Sequence, residues 1–497
     1  MRFLLDRSMM FASTAAIAGL AFAGLAVFTP AFATPISFET HVDYPAAQFP
    51  LRVTSADLNG DGLADLVASN PAPFDPPFVV SVLLNLGDGT FAPAAFYPTG
   101  APGRCVSAGD LDGDGDQDLA VGLQEGDFRV AVLVNDSQGH FAAPALLAEI
   151  PGRPDGIAVT DLDRDGDQDI LIAQATGDEV VVLRNQGGGS FAPPSTQAGM
   201  TDAYFVHLAV GDVDGDSAPD LAISRSLSSL PPSLYHNRGD GTFEPRQALP
   251  AGTFEYAGLD FGDLDGDQDL DLVLVSELGS RVLMLRNDGA GAFSSAGTFP
   301  SGVETQFGNK VTLADLDADG KADVIVPAGN THWVGVLRSN GSGLEAATFH
   351  QVGDQPTHVA ASDLDNDGDL DLANALPHAN ELSVLLNVSS GTTGVGEDDG
   401  EAGPRVALSF GPAYSNPRPL GATIPYVLPA AAQVRITVMD VAGRRIRSLF
   451  AGERPAGSHV VSWDGRNDGG VRVGAGVYLV EMDGGGWRRT ARIVVIP

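Results

Sequence analysis

A single cysteine, Cys105, occurs in 497 residues. It has no partner for an internal disulfide, so sulfur does not staple this chain. Its apolar neighbours suit a packed thiol better than a nucleophile. Basic residues are scarce: 28 Lys and Arg face 64 Asp and Glu, a formal net charge of −36. Such a surface repels nucleic acid and anionic membranes and attracts cations. Beyond residue 28 no apolar run is long enough to cross a bilayer. Helical periodicity is missing throughout; no window repeats apolar residues every three or four positions. What the chain does have is 61 Gly, 33 Pro and a hydrophobic fraction of 43%. Those figures fit a well-filled core of short strands joined by many turns.

Residues 1–33 read as a signal peptide. Arg2 and Arg7 give a basic start, with Asp6 intruding. Residues 9–28 are apolar, and Ala31-Phe32-Ala33 offers small residues before a cut at Thr34. A retained membrane anchor is the alternative. The mature protein is expected to be secreted or held at the cell surface, with no transmembrane segment left.

An acidic stretch then recurs seven times. Its copies start at Asp57, Asp110, Asp161, Asp212, Asp263, Asp315 and Asp363, at steps of 53, 51, 51, 51, 52 and 48 residues. A constant period near fifty marks a repeat array. In each unit a strand enters the acidic loop and a second leaves it, as in DLAVGL (118–123). A third, strongly apolar strand follows, as in RVAVLVN (129–135). Then come a Gly-rich turn and a Phe that opens a fourth strand. Four strands per unit match a propeller blade. The seventh unit has no turn and Phe after Asn387, whereas PISFETHV (35–42) is a spare fourth strand at the front. Phe38 stands 19 residues before Asp57, as Phe91 does before Asp110. The fold class expected is all-β: a seven-bladed β-propeller over 35–389, with 35–42 closing the last blade. An open solenoid would not need the spare strand.

The acidic loop has the chemistry of a calcium site. Calcium takes about six to eight oxygen ligands at roughly 2.3–2.6 Å. The candidate ligands are the side chains at the first, third, fifth and ninth loop positions and the backbone carbonyl of the seventh. In the first loop these are Asp57, Asn59, Asp61, Leu63 and Asp65; in the second, Asp110, Asp112, Asp114, Asp116 and Asp118. The third offers Asp161, Asp163, Asp165, Asp167 and Asp169, and the fourth Asp212, Asp214, Asp216, Ala218 and Asp220. The fifth offers Asp263, Asp265, Asp267, Asp269 and Asp271, and the sixth Asp315, Asp317, Asp319, Lys321 and Asp323. The seventh offers Asp363, Asp365, Asp367, Asp369 and Asp371. A glycine at the sixth position permits the tight turn. The loops carry no His or Cys, which argues against zinc or copper, and magnesium demands a stiffer shell. Up to seven structural calcium ions are expected. Asn59 costs the first loop a charge. Ser217 and Gln268 replace the glycine, so the fourth and fifth sites should be weakest. The competing reading is solvated turns whose Asp side chains satisfy local amides; clustered carboxylates repel unless a cation joins them.

The pattern D-x-[DN]-x-D-G-x-x-D before an apolar strand resembles the FG-GAP and VCBS repeats of bacterial surface proteins and of integrin α-chain propellers. The resemblance spans about 350 residues and recurs in phase. It implies a propeller in which the loop joins the first two strands of each blade and binds calcium.

Composition changes afterwards. Residues 390–404 read as a Gly-rich acidic linker. Residues 405–497 hold twelve Arg, no Lys and six acidic residues. Short alternating strands separated by turns predict a β-sandwich. The runs VRITVMDVAGRRIRSLF, GSHVVSWDGRNDGG and GAGVYLVEM resemble the Ig-like domain of the flagellar hook-capping protein and the C-terminal sorting domain of type IX secretion substrates. The ending IVVIP lacks the terminal Lys of the sorting pattern. The resemblance implies an Ig-like sandwich and a candidate contact with secretion machinery. Trp463 and Trp487 are expected to pack rather than to form a ligand platform.

No catalytic constellation stands out. The nine His are scattered, and neither a nucleophile elbow nor a phosphate loop occurs. Two functions stay open: a calcium-binding adhesion or scaffold module for a glycan or protein, and an extracellular polysaccharide hydrolase or lyase using a propeller face.

Overall fold

The computed structural model describes residues 36–71, 77–175, 179–198, 206–226, 231–252, 256–276, 280–302, 310–329, 331–389, 414–415, 422–428, 432–440, 443–454, 457–474, 476–484 and 487–495. The signal peptide expected at 1–33 and the linker expected at 390–404 lie outside them. Among the described residues every regular element is a strand.

The first blade shows the plan. Its inner strand Arg52–Ala56 runs into the acidic loop, and the chain returns as Asp65–Ser69. It turns into Val79–Leu83 and ends in the outer strand Ala95–Pro98, each pair antiparallel. Five more sheets repeat this order with consecutive strands. The seventh differs: Val42–Pro45 pairs with Glu381–Leu385, which continues to Asp371–Leu376 and His358–Ser362. The inner strands are Arg52–Ala56, Gly103–Gly109, Pro154–Thr160, Val206–Gly211, Tyr256–Gly262, Thr312–Ala314 and His358–Ser362. Each touches the next, and the last touches the first. Seven sheets therefore form a closed propeller, which leaves no open face between first and last blade.

The closing pairing runs through the 35–42 expected from sequence and beyond it: the Glu39 N–H donates to Leu386 O, the Val388 N–H donates to Ser37 O, and the ladder continues to Pro45. Phe38 makes one isolated bridge to Asn387, and the regular strand starts at Val42. The same bridge recurs elsewhere: Phe91, Phe141, Phe191 and Phe243 bridge Asn85, Asn135, Asn185 and Asn237. Backbone bonds flank each bridge: the Leu86 N–H donates to Thr90 O before Phe91, and the Ala92 N–H donates to Leu84 O after it. In the sixth blade Leu344 takes this place, bridged to Ser339.

Second strands are buried at every position, as in Asp118–Leu123 and Asp169–Gln174, because a neighbouring blade covers each face. That is why they read as continuous apolar runs rather than alternating ones. Leu171 packs with Leu162 and Val180 of its own blade and with Leu208, Leu221 and Tyr235 of the next. Truncating it to Ala would cost about 2–5 kcal/mol.

The C-terminal strands form two sheets. Tyr414–Ser415, Ala422–Leu428 and Gly457–Trp463 make one. Arg445–Arg454, Ala432–Asp440, Gly476–Gly484 and Trp487–Val495 make the other, in that order. They share a core of Val434, Ile436, Val438, Trp463, Val480 and Met482. Trp463 is a packing residue, its Nε1–H donating to the Arg466 carbonyl at 2.8 Å. The Trp487 side chain lies outside the described residues.

Candidate metal centres

Each acidic loop is first a hydrogen-bonded turn. In the third, Asp161 Oδ1 accepts the Asp165 N–H at 3.2 Å and Oδ2 the Gly166 N–H at 3.1 Å. Asp165 Oδ1 accepts the Asp167 N–H at 3.0 Å. All seven loops share the bond from the sixth N–H to the first side chain. In all seven the seventh N–H also donates to the fifth side chain. The competing turn reading is thus physically real, yet it consumes only part of each carboxylate's roughly four acceptor sites.

Tight winding has a backbone cost. Ser217 and Gln268, in the glycine place, take φ of 68° and 74°, the left-handed region that a Cβ disfavours. The fourth position is left-handed as well, occupied by Arg164 (60°), Ala318 (55°) and Asn366 (62°) in three loops. The sequence reading missed that second requirement.

The ninth carboxylate is buried under the loop. Asp169 Oδ2 accepts the Leu162 N–H at 3.2 Å and Oδ1 the Asn185 N–H at 2.8 Å. Burial pushes these carboxyls up, to about 6 in Asp65, Asp118, Asp169 and Asp271 and about 7 in Asp323 and Asp371. Neighbouring aspartates of the same loop push the same way, against the N–H donors.

The first, third and ninth side chains converge. Asp110, Asp112 and Asp118 bring one oxygen each within 4.8 Å of the others, as do Asp161, Asp163 and Asp169, and Asp263, Asp265 and Asp271. The fourth loop gathers Asp212, Asp214 and Asp216, which places a fifth-position ligand in its cluster. Such oxygen-rich, mutually repelling clusters fit a divalent cation.

A histidine approaches the fourth loop from outside it: His236, just past the third strand Ser233–Tyr235 of the blade, lies 3.5 Å from both Asp214 and Asp220. Three loops also carry a built-in cation. Arg184 meets Asp163 at 2.6 Å, Arg286 meets Asp265 at 3.2 Å, and Arg338 contacts Asp317 and lies 3.1 Å from Asp319. The same place holds Leu84, Val134 and Leu386 in the first, second and seventh units. The complete third and sixth loops are thus partly neutralised already, whereas the second and seventh are not.

The residue after this place was also missed. Asn135 donates its side-chain N–H to Leu58 O of the preceding blade at 2.7 Å and to Gln117 O of its own at 3.0 Å. Asn185, Asn237, Asn287 and Asn387 repeat the inter-blade bond at 2.7–2.8 Å. Ser339 replaces Asn in the sixth blade, its Oγ–H reaching Leu264 O at 2.5 Å. The signal was visible in the strings VLLN, VLVN and VLRN, which end on Asn in phase with the loops.

Residues 57–121, 110–172, 161–223, 226–274 and 263–326 match the FG-GAP-like repeat, together more than half of the chain. The chain belongs to the FG-GAP-like repeat family. Residues 421–486 match the FlgD Ig-like domain. Integrin alpha-4 of Xenopus laevis is 30% identical over 171 residues, 30% of this chain and 17% of the relative. Integrin alpha-3 of Mus musculus is 30% identical over 151 residues, 26% of this chain and 14% of the relative. The chain thus spans less than a fifth of the length of these curated relatives. Among solved structures, an Agrocybe aegerita lectin that recognises non-reducing terminal N-acetylglucosamine aligns at a TM-score of 0.44 and 20% identity, over 63% of this chain and 80% of that one.

Proposed function

We propose that this protein is an exported binding or scaffold module, a propeller clamped by calcium that engages a glycan or protein partner. The observation that carries the metal reading is the convergence of Asp110, Asp112 and Asp118 around a carboxyl that burial and like charge push up to about 6. A cation among them would relieve that repulsion, and hard oxygens favour calcium. The second and seventh loops, with no arginine paired to them among the described residues, would bind best; the third, fifth and sixth would bind more weakly. The likeness to integrin α chains supports binding rather than hydrolysis as the role of the propeller.

Extracellular calcium modules bind at about 10⁻⁴–10⁻³ M. At tenfold excess over that constant each filled site adds about 1.4 kcal/mol to stability. A chelator should therefore lower the melting temperature and added calcium restore it; an unchanged melting curve sinks the calcium clamp. A glycan array on the calcium-loaded protein tests the partner class: retention without product supports a binding module, and release of shortened glycans overturns it. The Ig-like domain at 405–497 is proposed to contact secretion machinery. Unaltered display or release of a chain lacking those residues would remove that role.

A further inference from the structure

The inner strands enclose a cavity of about 390 Å³, within the roughly 300–1,000 Å³ of small-molecule sites. Three basic groups of its lining stand at the starts of those strands, the end away from the acidic loops. Arg52 and His358 are the first residues of their inner strands, and His207 is the second of its own.

The chemistry there reverses that of the acidic exterior. Arg52 is only 8% exposed, and His207 2%. Arg52 Nη2 lies 3.5 Å from His207 Nδ1. A guanidinium can only donate, so Nδ1 accepts and His207 carries its hydrogen on Nε2. Among the described residues, neither Arg52 Nη1 nor His207 Nε2 has a hydrogen-bond partner. His358 Nδ1 accepts the Val53 N–H at 3.4 Å, so its Nε2 is a donor too.

The nearby carboxylates are already committed. Asp155 is paired with Arg104, has Arg153 at 3.6 Å and accepts the Val206 N–H at 3.2 Å. Asp260 accepts the Leu313 N–H at 3.0 Å and offsets the charge of Lys310 on the same wall. Arg52 therefore has for a counter-charge only Asp155, acting through space and already shared with Arg104 and Arg153. Burying three guanidinium groups around one carboxylate is unfavourable, and the deficit is met most simply by an anion.

We propose that this cavity binds a carboxylate monoanion held by Arg52 Nη1 and His207 Nε2. Arg52 Nη1 and His207 Nε2 are two donors without partners among the described residues, which matches the two oxygens of a carboxylate. The planar guanidinium also suits two coplanar carboxylate oxygens. The volume admits a monosaccharide-sized acid, so the carboxylate can come from a small organic acid or from a uronate sugar. The site depends neither on calcium in the loops nor on what the outer faces engage.

The test is calorimetric titration of the full chain, in calcium, with sodium acetate, sodium D-glucuronate, D-glucose and inorganic phosphate at matched ionic strength. Wild type, Arg52→Met and His207→Phe are compared, each first shown folded by circular dichroism. Carboxylate binding that weakens at least tenfold in either folded variant, with none for glucose, supports the site. Glucuronate tighter than acetate then assigns a sugar acid, and equal affinities assign a bare carboxylate. No carboxylate binding to wild type, unchanged binding in the folded variants, or phosphate binding tighter than both carboxylates overturns it.

Discussion

The side-chain amide of Asn85 donates to the carbonyl of Leu364 at 2.9 Å, joining residues 279 positions apart and linking the first blade to the seventh. The same amide reaches Ala64 O at 3.0 Å, and its Oδ1 accepts the Gly87 N–H at 2.9 Å. Asn85→Ala strips a buried carbonyl of its partner across the ring seam. Urea denaturation should show a loss of about 1–3 kcal/mol. A loss under about 0.5 kcal/mol, the range of ordinary surface changes, would show that the seam does not need this bond.

The strained loops should gain from glycine. Ser217 and Gln268 hold left-handed φ, which costs a residue with a Cβ roughly 1–2 kcal/mol, partly offset by the chain entropy glycine adds. Ser217→Gly and Gln268→Gly are each expected to raise stability by up to about 1 kcal/mol. A lower melting temperature in either would contradict the strain argument.

Calcium dependence should differ between loops. Among the described residues Asp112 pairs with no guanidinium, whereas Asp265 has Arg286 at 3.2 Å. Asp112→Ala should therefore erase more of the calcium-induced rise in melting temperature than Asp265→Ala. Equal losses would mean that the arginines do not compete with the ion.

His207 gives a pH signature. Burial, with Arg52 adding to it, holds its folded pKa well below 6.5. The folded protein then leaves His207 neutral while the unfolded chain takes up a proton. This term is fully favourable above pH 6.5 and is lost as pH falls below it, by up to about 1.4 kcal/mol per pH unit. The loop carboxyls, raised instead, act in the opposite direction, so the comparison must be differential. Stability of wild type minus His207→Gln should fall between pH 7 and 5; a flat difference would refute the assignment.

Cys105 should be inert in the native state. It is buried, and burial pushes its thiol up to about 12. A thiolate-directed reagent should label it only as fast as the protein opens and at once in denaturant. Rapid labelling of the folded chain would show that the inner strand is accessible.

Phase made the fold legible. Asp57, Asp110, Asp161 and their successors recur at a nearly constant step, and Phe38 stood in register as an unclaimed part of a blade. Three features stayed hidden for physical reasons. Arg164, Ala318 and Asn366 adopt left-handed backbone without the glycine that would announce it. Arg184, Arg286 and His236 reach their loops because the third strand ends beside them, which follows from strand register and not from distance along the chain. Arg52, His207 and His358 come from three different blades, so only ring closure puts them on one wall.

The seam also imposes an order on biosynthesis. The Ser37 N–H meets Ser389 Oγ at 3.0 Å, with 352 positions between them. At about 5–20 residues per second the front strand waits roughly 20–70 s for its mate to be made. Until then Val42–Pro45 has no edge to join. A chain cut short before Glu381–Leu385 can never latch, and it keeps an unpaired strand exposed to proteases and to other chains. The closure therefore works as a length check, and only a chain translated through its last blade is sealed.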